Sequence, residues 1–259
     1  MRAFARAVSS EFKKLLTLRF IRYVVAATTV LLPLYALLTT PSVRDAISTG
    51  DPTLAPGITP ESVGFDGIEL GQVFLILLGS ISVSSEYQFD QLKVSLLAVP
   101  NRLRLLGAKA LAVGVVSLLL GMVVVPLVAF ISQLQLGEVG ILHGGIIVSY
   151  LLSLGGAIVS WTAIALLSFA LTIICRQALT PLLILIVTAQ FTLVLVHLMP
   201  GAQYLPFSAG VQLYDPSSIV AETPSAGLGP GVALLVLTIW VVAFMALAGF
   251  LFQRRGVQT

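Results

Sequence analysis

Residues 84–109 read SSEYQFDQLKVSLLAVPNRLRLLGAK. They form the only substantial interior segment in which charges sit between two strongly apolar runs, Leu70–Val83 before and Gly107–Ile131 after. Phe89, Leu92, Val94 and Leu96 mix with Glu86, Asp90 and Lys93, a spacing that predicts a short, somewhat irregular amphipathic helix. Pro100 removes a backbone donor and disfavours helix in the residue before it, so the chain should break and turn there. Arg102, Arg104 and Lys109 follow at the mouth of the next apolar run. A partly apolar segment with a basic end, flanked by membrane-length helices, fits a cytoplasmic loop lying against a bilayer. A plain polar connector needs neither the Phe and Leu positions nor the length.

Working outward, the whole chain has the same character. Of its 259 residues 58% are apolar and only 10% charged, where soluble chains run near 25% charged. Mean hydropathy is +1.04, and apolar runs of membrane length recur. The expected fold class is therefore all-α: a single polytopic transmembrane domain over residues 1–259. A soluble domain, an internal repeat and a low-complexity tail are all excluded. The single cysteine, Cys175, excludes an intramolecular disulfide. The start, MRAFARAVSSEFKKLLTLRF, is basic and amphipathic without a cleavable-leader pattern, so the first apolar run is expected to persist as a signal anchor.

The expected elements are an interfacial helix at 3–19 and six spans at 20–38, 68–85, 105–134, 146–174, 181–198 and 231–252. In the first helix Phe12, Lys13, Lys14 and Arg19 place apolar side chains among basic ones that reach headgroups. Pro33 is expected to bend the first span, and residues 39–67 to form a Pro/Gly-punctuated loop with at most a short turn at 42–48. The third span is too long for a hydrocarbon core of roughly 30 Å, so it must tilt, protrude or break, and Pro126 is the natural place for a break. Residues 201–229 are weakly polar and are expected to cover the helix ends or dip into the outer leaflet. Two short re-entrant helices hinged near Gly201 and Pro216 would do this.

Charge placement supplies the topology. With both termini inside, the inner segments together with the inner ends of the spans hold 13 of the 14 basic residues. The outer segments together with the outer ends of the spans hold Arg44 alone, with 8 of the 11 acidic residues. This is the positive-inside pattern carried through six spans.

Chemistry is sparse. No GxxxxGK phosphate loop is present, so the chain itself carries no ordinary ATPase site and is not read as an enzyme. His143 and His197 are isolated, with no partner pattern for a metal. The deep parts of the spans lack charges, which argues against a buried carboxylate relay or a charged ion path. Mid-membrane polar residues remain: Ser117, Ser160, Thr162, Thr188, Gln190 and Thr192. They are candidates for a translocation path, although interhelical bonding is the plainer use of such side chains. A nucleic-acid role is not supported, because the basic residues follow one membrane face rather than a groove.

The chain resembles the membrane subunit of a bacterial ABC-2 type transporter along essentially its full length. The resemblance rests on the amphipathic start Ser10-Glu11-Phe12-Lys13-Lys14-Leu15-Leu16-Thr17-Leu18-Arg19 followed by six spans. More specific are Ser85-Glu86-Tyr87, the run Lys93 to Arg102 with its leucines and Pro100, and Lys109 opening the third span.

The resemblance implies that 3–19 is the connecting helix and 86–100 the coupling helix that rests on a separate ATPase. Glu86, Tyr87, Phe89, Asp90, Lys93, Leu96 and Arg102 are the implied coupling residues. It further implies two cytoplasmic ABC ATPase subunits that bind ATP and Mg²⁺, while no cofactor is bound by this chain. A second permease, identical or a sister subunit, and membrane lipids complete the expected partners. The expected location is the bacterial cytoplasmic (inner) membrane. The expected activity is outward movement of an amphiphilic or hydrophobic substrate: a drug, peptide or lipid-like molecule. Two other readings stay open: a stand-alone secondary carrier or channel, and a non-transport membrane anchor or assembly protein.

Overall fold

A computed structural model describes residues 2–51, 54, 57–88, 101–141, 148–199 and 201–254, and every regular element among these is helical. Helix α1 (Arg2–Thr17) is amphipathic by simple spacing. Ala7, Glu11 and Leu15 recur every four residues and are buried, whereas Lys13 and Lys14 are exposed. Leu18, in an extended conformation, breaks the helix, and Arg19 opens α2 instead of closing α1 as expected.

Helix α2 (Arg19–Thr49) corrects the expected boundary of the first span. It does not stop at residue 38 but continues through Pro33 and Pro41 to Thr49, so the first part of the expected 39–67 loop, residues 39–49, is helix. The reason lies on another helix. Pro41 cannot bond the carbonyl of Leu37, four residues back, and Gln135 Nε2 donates to that carbonyl at 3.2 Å. Gly50, at a φ of 63°, then closes the helix by donating to the carbonyls of Ala46 and Ile47. Replacing Gln135 with leucine should cost about 1 kcal/mol by leaving that carbonyl unpaired. Thermal unfolding in nanodiscs measures it, and an unchanged midpoint would refute the compensation.

The other long helices are α3 (Phe65–Gln88), α4 (Arg102–Leu136), α5 (Val148–Cys175) and a last helix (Pro230–Arg254). Their bounds lie within a few residues of the expected spans. Of the ways in which so long a span can fit, a break at Pro126 is not the one used: α4 runs through it as one helix of 35 residues. At 1.5 Å per residue it measures about 52 Å, so it projects beyond a hydrocarbon core. A lone proline removes one donor, and the ladder resumes a turn later.

The fifth span differs most. It consists of α6 (Leu179–Gln190) and α7 (Thr192–Leu198), which meet at Phe191 with a bend of 69°. Thr188 and Thr192 flank the bend, and both hydroxyls donate to carbonyls of their own backbone. Such back-bonding competes with a straight helical ladder. Among the described residues five helices are long and apolar enough to cross a membrane, or six spans if the bent pair counts as one. The protein is a multi-pass membrane protein of all-α architecture.

Beyond Gly201, short turns at Ala202–Tyr204 and Pro224–Ala226 flank α8 (Pro206–Val211) and α9 (Pro216–Glu222). The last long helix is α10 (Pro230–Arg254). Within the 201–229 segment Phe207, Val211, Tyr214 and Ile219 are buried, while Tyr204 and Val220 are exposed. Gly156 on α5 allows this closeness, because a Cβ there would fall 2.2 Å from the Leu213 carbonyl oxygen. Asp215 caps α9, accepting from Ser217 Oγ at 2.5 Å and Ser218 N at 3.4 Å. Burial pushes the Asp215 carboxyl above the usual carboxylate range, with the two serines working against the rise.

Helix α5 occupies the middle of the bundle, with Ala157, Trp161, Ala165 and Phe169 buried on it.

Candidate coupling site

The site is built where α1 meets the start of α4. Glu11 belongs to the buried stripe of α1 and faces Lys109, two turns into α4. Lys109 Nζ lies 2.6 Å from Glu11 Oε2, and each side chain is 7% exposed. Lys14 Nζ holds the other carboxylate oxygen at 2.8 Å. One carboxylate therefore bridges a lysine on its own helix and a lysine 98 positions away. Burial by itself would raise the Glu11 carboxyl, but Lys109 and Lys14 outweigh it and hold the group below the usual carboxylate range.

The beginning of α4 is tied down twice more. Asn101 caps it by accepting from the amide of Arg104 at 3.1 Å. Arg102 Nη1 donates to the carbonyls of Phe252 and Gln253 at 3.4 Å each, placing a cation on the C-terminal end of α10. Phe12 packs half-buried against the main core, while Lys13 and Arg19 are exposed on the same end of the bundle. Glu86 and Tyr87 fall in the last turn of α3, but their side chains lie outside the described residues. Phe89, Asp90, Lys93 and Leu96, and with them the expected 86–100 coupling helix beyond Gln88, also lie outside.

On the other flank of that segment, α3 is bolted to α5. Trp161 Nε1 donates to the carbonyl of Ile68 at 2.9 Å. Ser168 Oγ donates to the Ile76 carbonyl at 2.6 Å and sits 2.7 Å from Ser80 Oγ. Both Ser80 and Ser168 are fully buried, so these bonds are made away from water. Glycines admit the contact: a Cβ on Gly71 would fall 2.2 Å from the Trp161 ring, and one on Gly79 would fall 2.2 Å from the Ala165 carbonyl oxygen. The approach of α4 to α5 is looser and apolar, with Gly121 against Ile158 and Gly114 against Leu166.

The mid-membrane candidates are dispersed. Ser117 and Thr162 donate to carbonyls of their own helices, at 3.0 Å and 2.9 Å. Ser160 is fully buried without a hydrogen-bond partner, beside Gly210 of α8. Gln190 is exposed at the end of α6. Thr188 and Thr192 come together along one apolar cavity, joined there by Ser208.

Three features escaped the sequence reading. Glu11 was quoted only as part of a motif, although its four-residue spacing from Ala7 and Leu15 places it on the buried stripe. Ser80 bonds across to Ser168 on another helix, a partner that no local pattern marks. At the opposite end of the bundle, Asp66 and Asp215 line one cavity of about 230 Å³ with Tyr35, Thr39 and Ser62. Beside it Gln72 Nε2 donates to Tyr214 Oη at 3.0 Å.

No match was found among curated proteins. The profile of a family described as ABC-2 family transporter protein matches residues 7–192, well over half of the chain. That range contains the Glu11–Lys109 pair, the Trp161 and Ser168 bolts and the whole of α3 to α6. The chain belongs to the ABC-2 family of transporter proteins.

Proposed function

We propose that this chain is the permease subunit of an ATP-driven exporter in the bacterial cytoplasmic membrane, with both termini in the cytoplasm. It works with two cytoplasmic ABC ATPase subunits, which bind ATP and Mg²⁺, and with a second permease, identical or a sister subunit. The cargo is an amphiphilic or hydrophobic molecule, in keeping with spans poor in charge. The Glu11–Lys109 pair is the observation that carries this reading. It locks α1 to α4 immediately beyond the segment expected to rest on the ATPase.

The hydrogen bonds divide the bundle in two. Trp161 and Ser168 make α3 and α5 one body. Glu11–Lys109, Thr40–Ser132 and Gln135–Leu37 make α1, α2 and α4 another. Residues 86–100 join the two bodies at one end. When the ATPases close on ATP they push this joint through Glu86, Tyr87, Phe89, Asp90, Lys93 and Leu96. Arg102 passes the load to α10. The bodies then shift across the apolar Gly114 and Gly121 contact, opening a route outward between two permeases.

Glu86→Arg reverses the charge that faces the soluble partner. It should lower ATP-driven transport and transport-coupled ATPase activity by about tenfold or more, equivalent to roughly 1.4 kcal/mol, while membrane insertion stays intact. Unchanged coupled ATPase activity in that variant would remove the assignment of 86–100 as the coupling segment.

A further inference from the structure

A cavity of about 180 Å³ lies between α5, α6, α8 and α10, bordered by Leu171, Ile184, Thr192, Ser208, Trp240 and Phe244. Chain direction gives its shape. α5 and α10 run one way along the bundle and α6 runs the other. Leu171, Ile184 and Phe244 therefore mark one end, and Thr192, Ser208 and Trp240 the other. Four helical residues cover about 6 Å, so the slot is elongated along the spans. Its walls are apolar apart from hydroxyls, and those of Thr188 and Thr192 are already bonded to backbone carbonyls. Ser208 differs. It is 1% exposed, and its hydroxyl has no hydrogen-bond partner. An unsatisfied buried hydroxyl is costly, which marks a place where a ligand supplies the acceptor. Ile184 at one wall and Tyr204 beside the opposite end are exposed on the outside of the bundle, where lipid chains are the solvent.

We infer that this slot holds one acyl chain of a bilayer phospholipid, its ester carbonyl accepting a hydrogen bond from Ser208 Oγ. Size agrees with one chain segment: a dry apolar cavity of about 150 Å³ admits a molecule as large as benzene. Two chains would not fit. Orientation agrees as well, since a lipid chain carries its only nearby oxygens at the headgroup end. The occupied slot would brace the bent junction at Phe191 against α8 and α10. This site stands independently of the coupling reading, because it requires no ATPase.

Trp240 supplies the probe. The chain has two tryptophans, and Trp161 is fully buried in the bundle, so a Trp240→Phe variant isolates the Trp240 signal by difference. The protein is placed in nanodiscs of an unlabelled ether-linked phospholipid, which lacks the ester carbonyl, doped with increasing fractions of an ester phospholipid brominated along one chain. Bound chain gives quenching of Trp240 that saturates at low brominated fraction, above a linear background from bulk lipid. Thr188→Phe fills the slot and removes the saturating part. Ser208→Ala keeps the volume and raises half-saturation about two- to tenfold, the range of one net hydrogen bond. Should Thr188→Phe fail to fold, Ser208→Ala decides alone. Quenching that is linear throughout, or a saturating part unaltered in Ser208→Ala, overturns the site. Saturation by a brominated single-chain amphiphile but not by phospholipid overturns the assigned occupant.

Discussion

Lys109→Met is expected to destabilise the protein by up to about 3–5 kcal/mol, because it leaves the buried Glu11 carboxylate with only the water-exposed Lys14 as its ion partner. Thermal unfolding in nanodiscs gives the magnitude. The double variant Glu11→Gln with Lys109→Met should recover most of the loss, since neither uncharged side chain demands an ion partner. A double-mutant cycle therefore separates the pair from packing at the same place. Lys14→Met should matter far less, at under about 1 kcal/mol, because Lys14 is 44% exposed and screened by water. Equal losses for Lys14→Met and Lys109→Met would contradict the geometry.

The same pair predicts an acid limb. Glu11 is held below its ordinary value of 4.5, so the fold favours its ionised form. Its contribution is complete above that value and is lost as pH falls through the lower native value. The Glu11→Gln variant should lack this part of the acid transition. Coupling has the same dependence if the pair transmits load, because protonation releases α1 from α4.

Gly79→Ala is the second large effect. A methyl group there would sit 2.2 Å from the Ala165 carbonyl oxygen and 2.9 Å from Ser168 Cβ. Backbone cannot swing aside as a side chain can, so α3 must separate from α5. That separation also pulls apart the Ser80–Ser168 and Ser168–Ile76 bonds. The expected loss is about 3 kcal/mol or more, combining overpacking with two stranded polar groups. Folded yield and thermal midpoint both report it. Gly114→Ala is the matched control. Its Cβ would meet Leu166 at an ordinary 3.7 Å, and alanine favours helix by up to about 1 kcal/mol. A destabilising Gly114→Ala beside a harmless Gly79→Ala would reverse the assignment of rigid and sliding contacts. In transport, Gly114→Ala tests whether the α4–α5 contact moves, since stiffening it should slow turnover without unfolding the chain.

Much of the architecture was legible because it follows from local composition. A run of some twenty apolar residues is a span wherever it occurs, and the boundaries of α3, α5 and α10 fell close to expectation for that reason. The amphipathic stripe of α1 was equally visible in its spacing. Pro41 and Pro126 each remove one donor, and whether a helix stops there depends on what the surroundings provide. For Pro41 the provider is Gln135, nearly a hundred positions away. The fifth span is one continuous apolar run in the sequence, and its composition does not mark the bend. The bend at Phe191 arises among threonines that turn onto their own backbone.

By itself, the sequence determined that this is a multi-pass helical membrane protein, roughly where most of its long apolar helices lie and which family it resembles. Hydropathy and short motifs act over stretches of one helix, and bilayer insertion responds to those stretches individually. Only the tertiary structure decided which polar groups meet. Glu11 finds Lys109, Ser80 finds Ser168 and Trp161 finds Ile68 across separations of 98, 88 and 93 residues. It also left Ser208 without a partner beside an apolar slot. Such pairings depend on helix rotation and on how closely glycines let two backbones approach. Those are properties of the packed bundle and have no local signature in the chain.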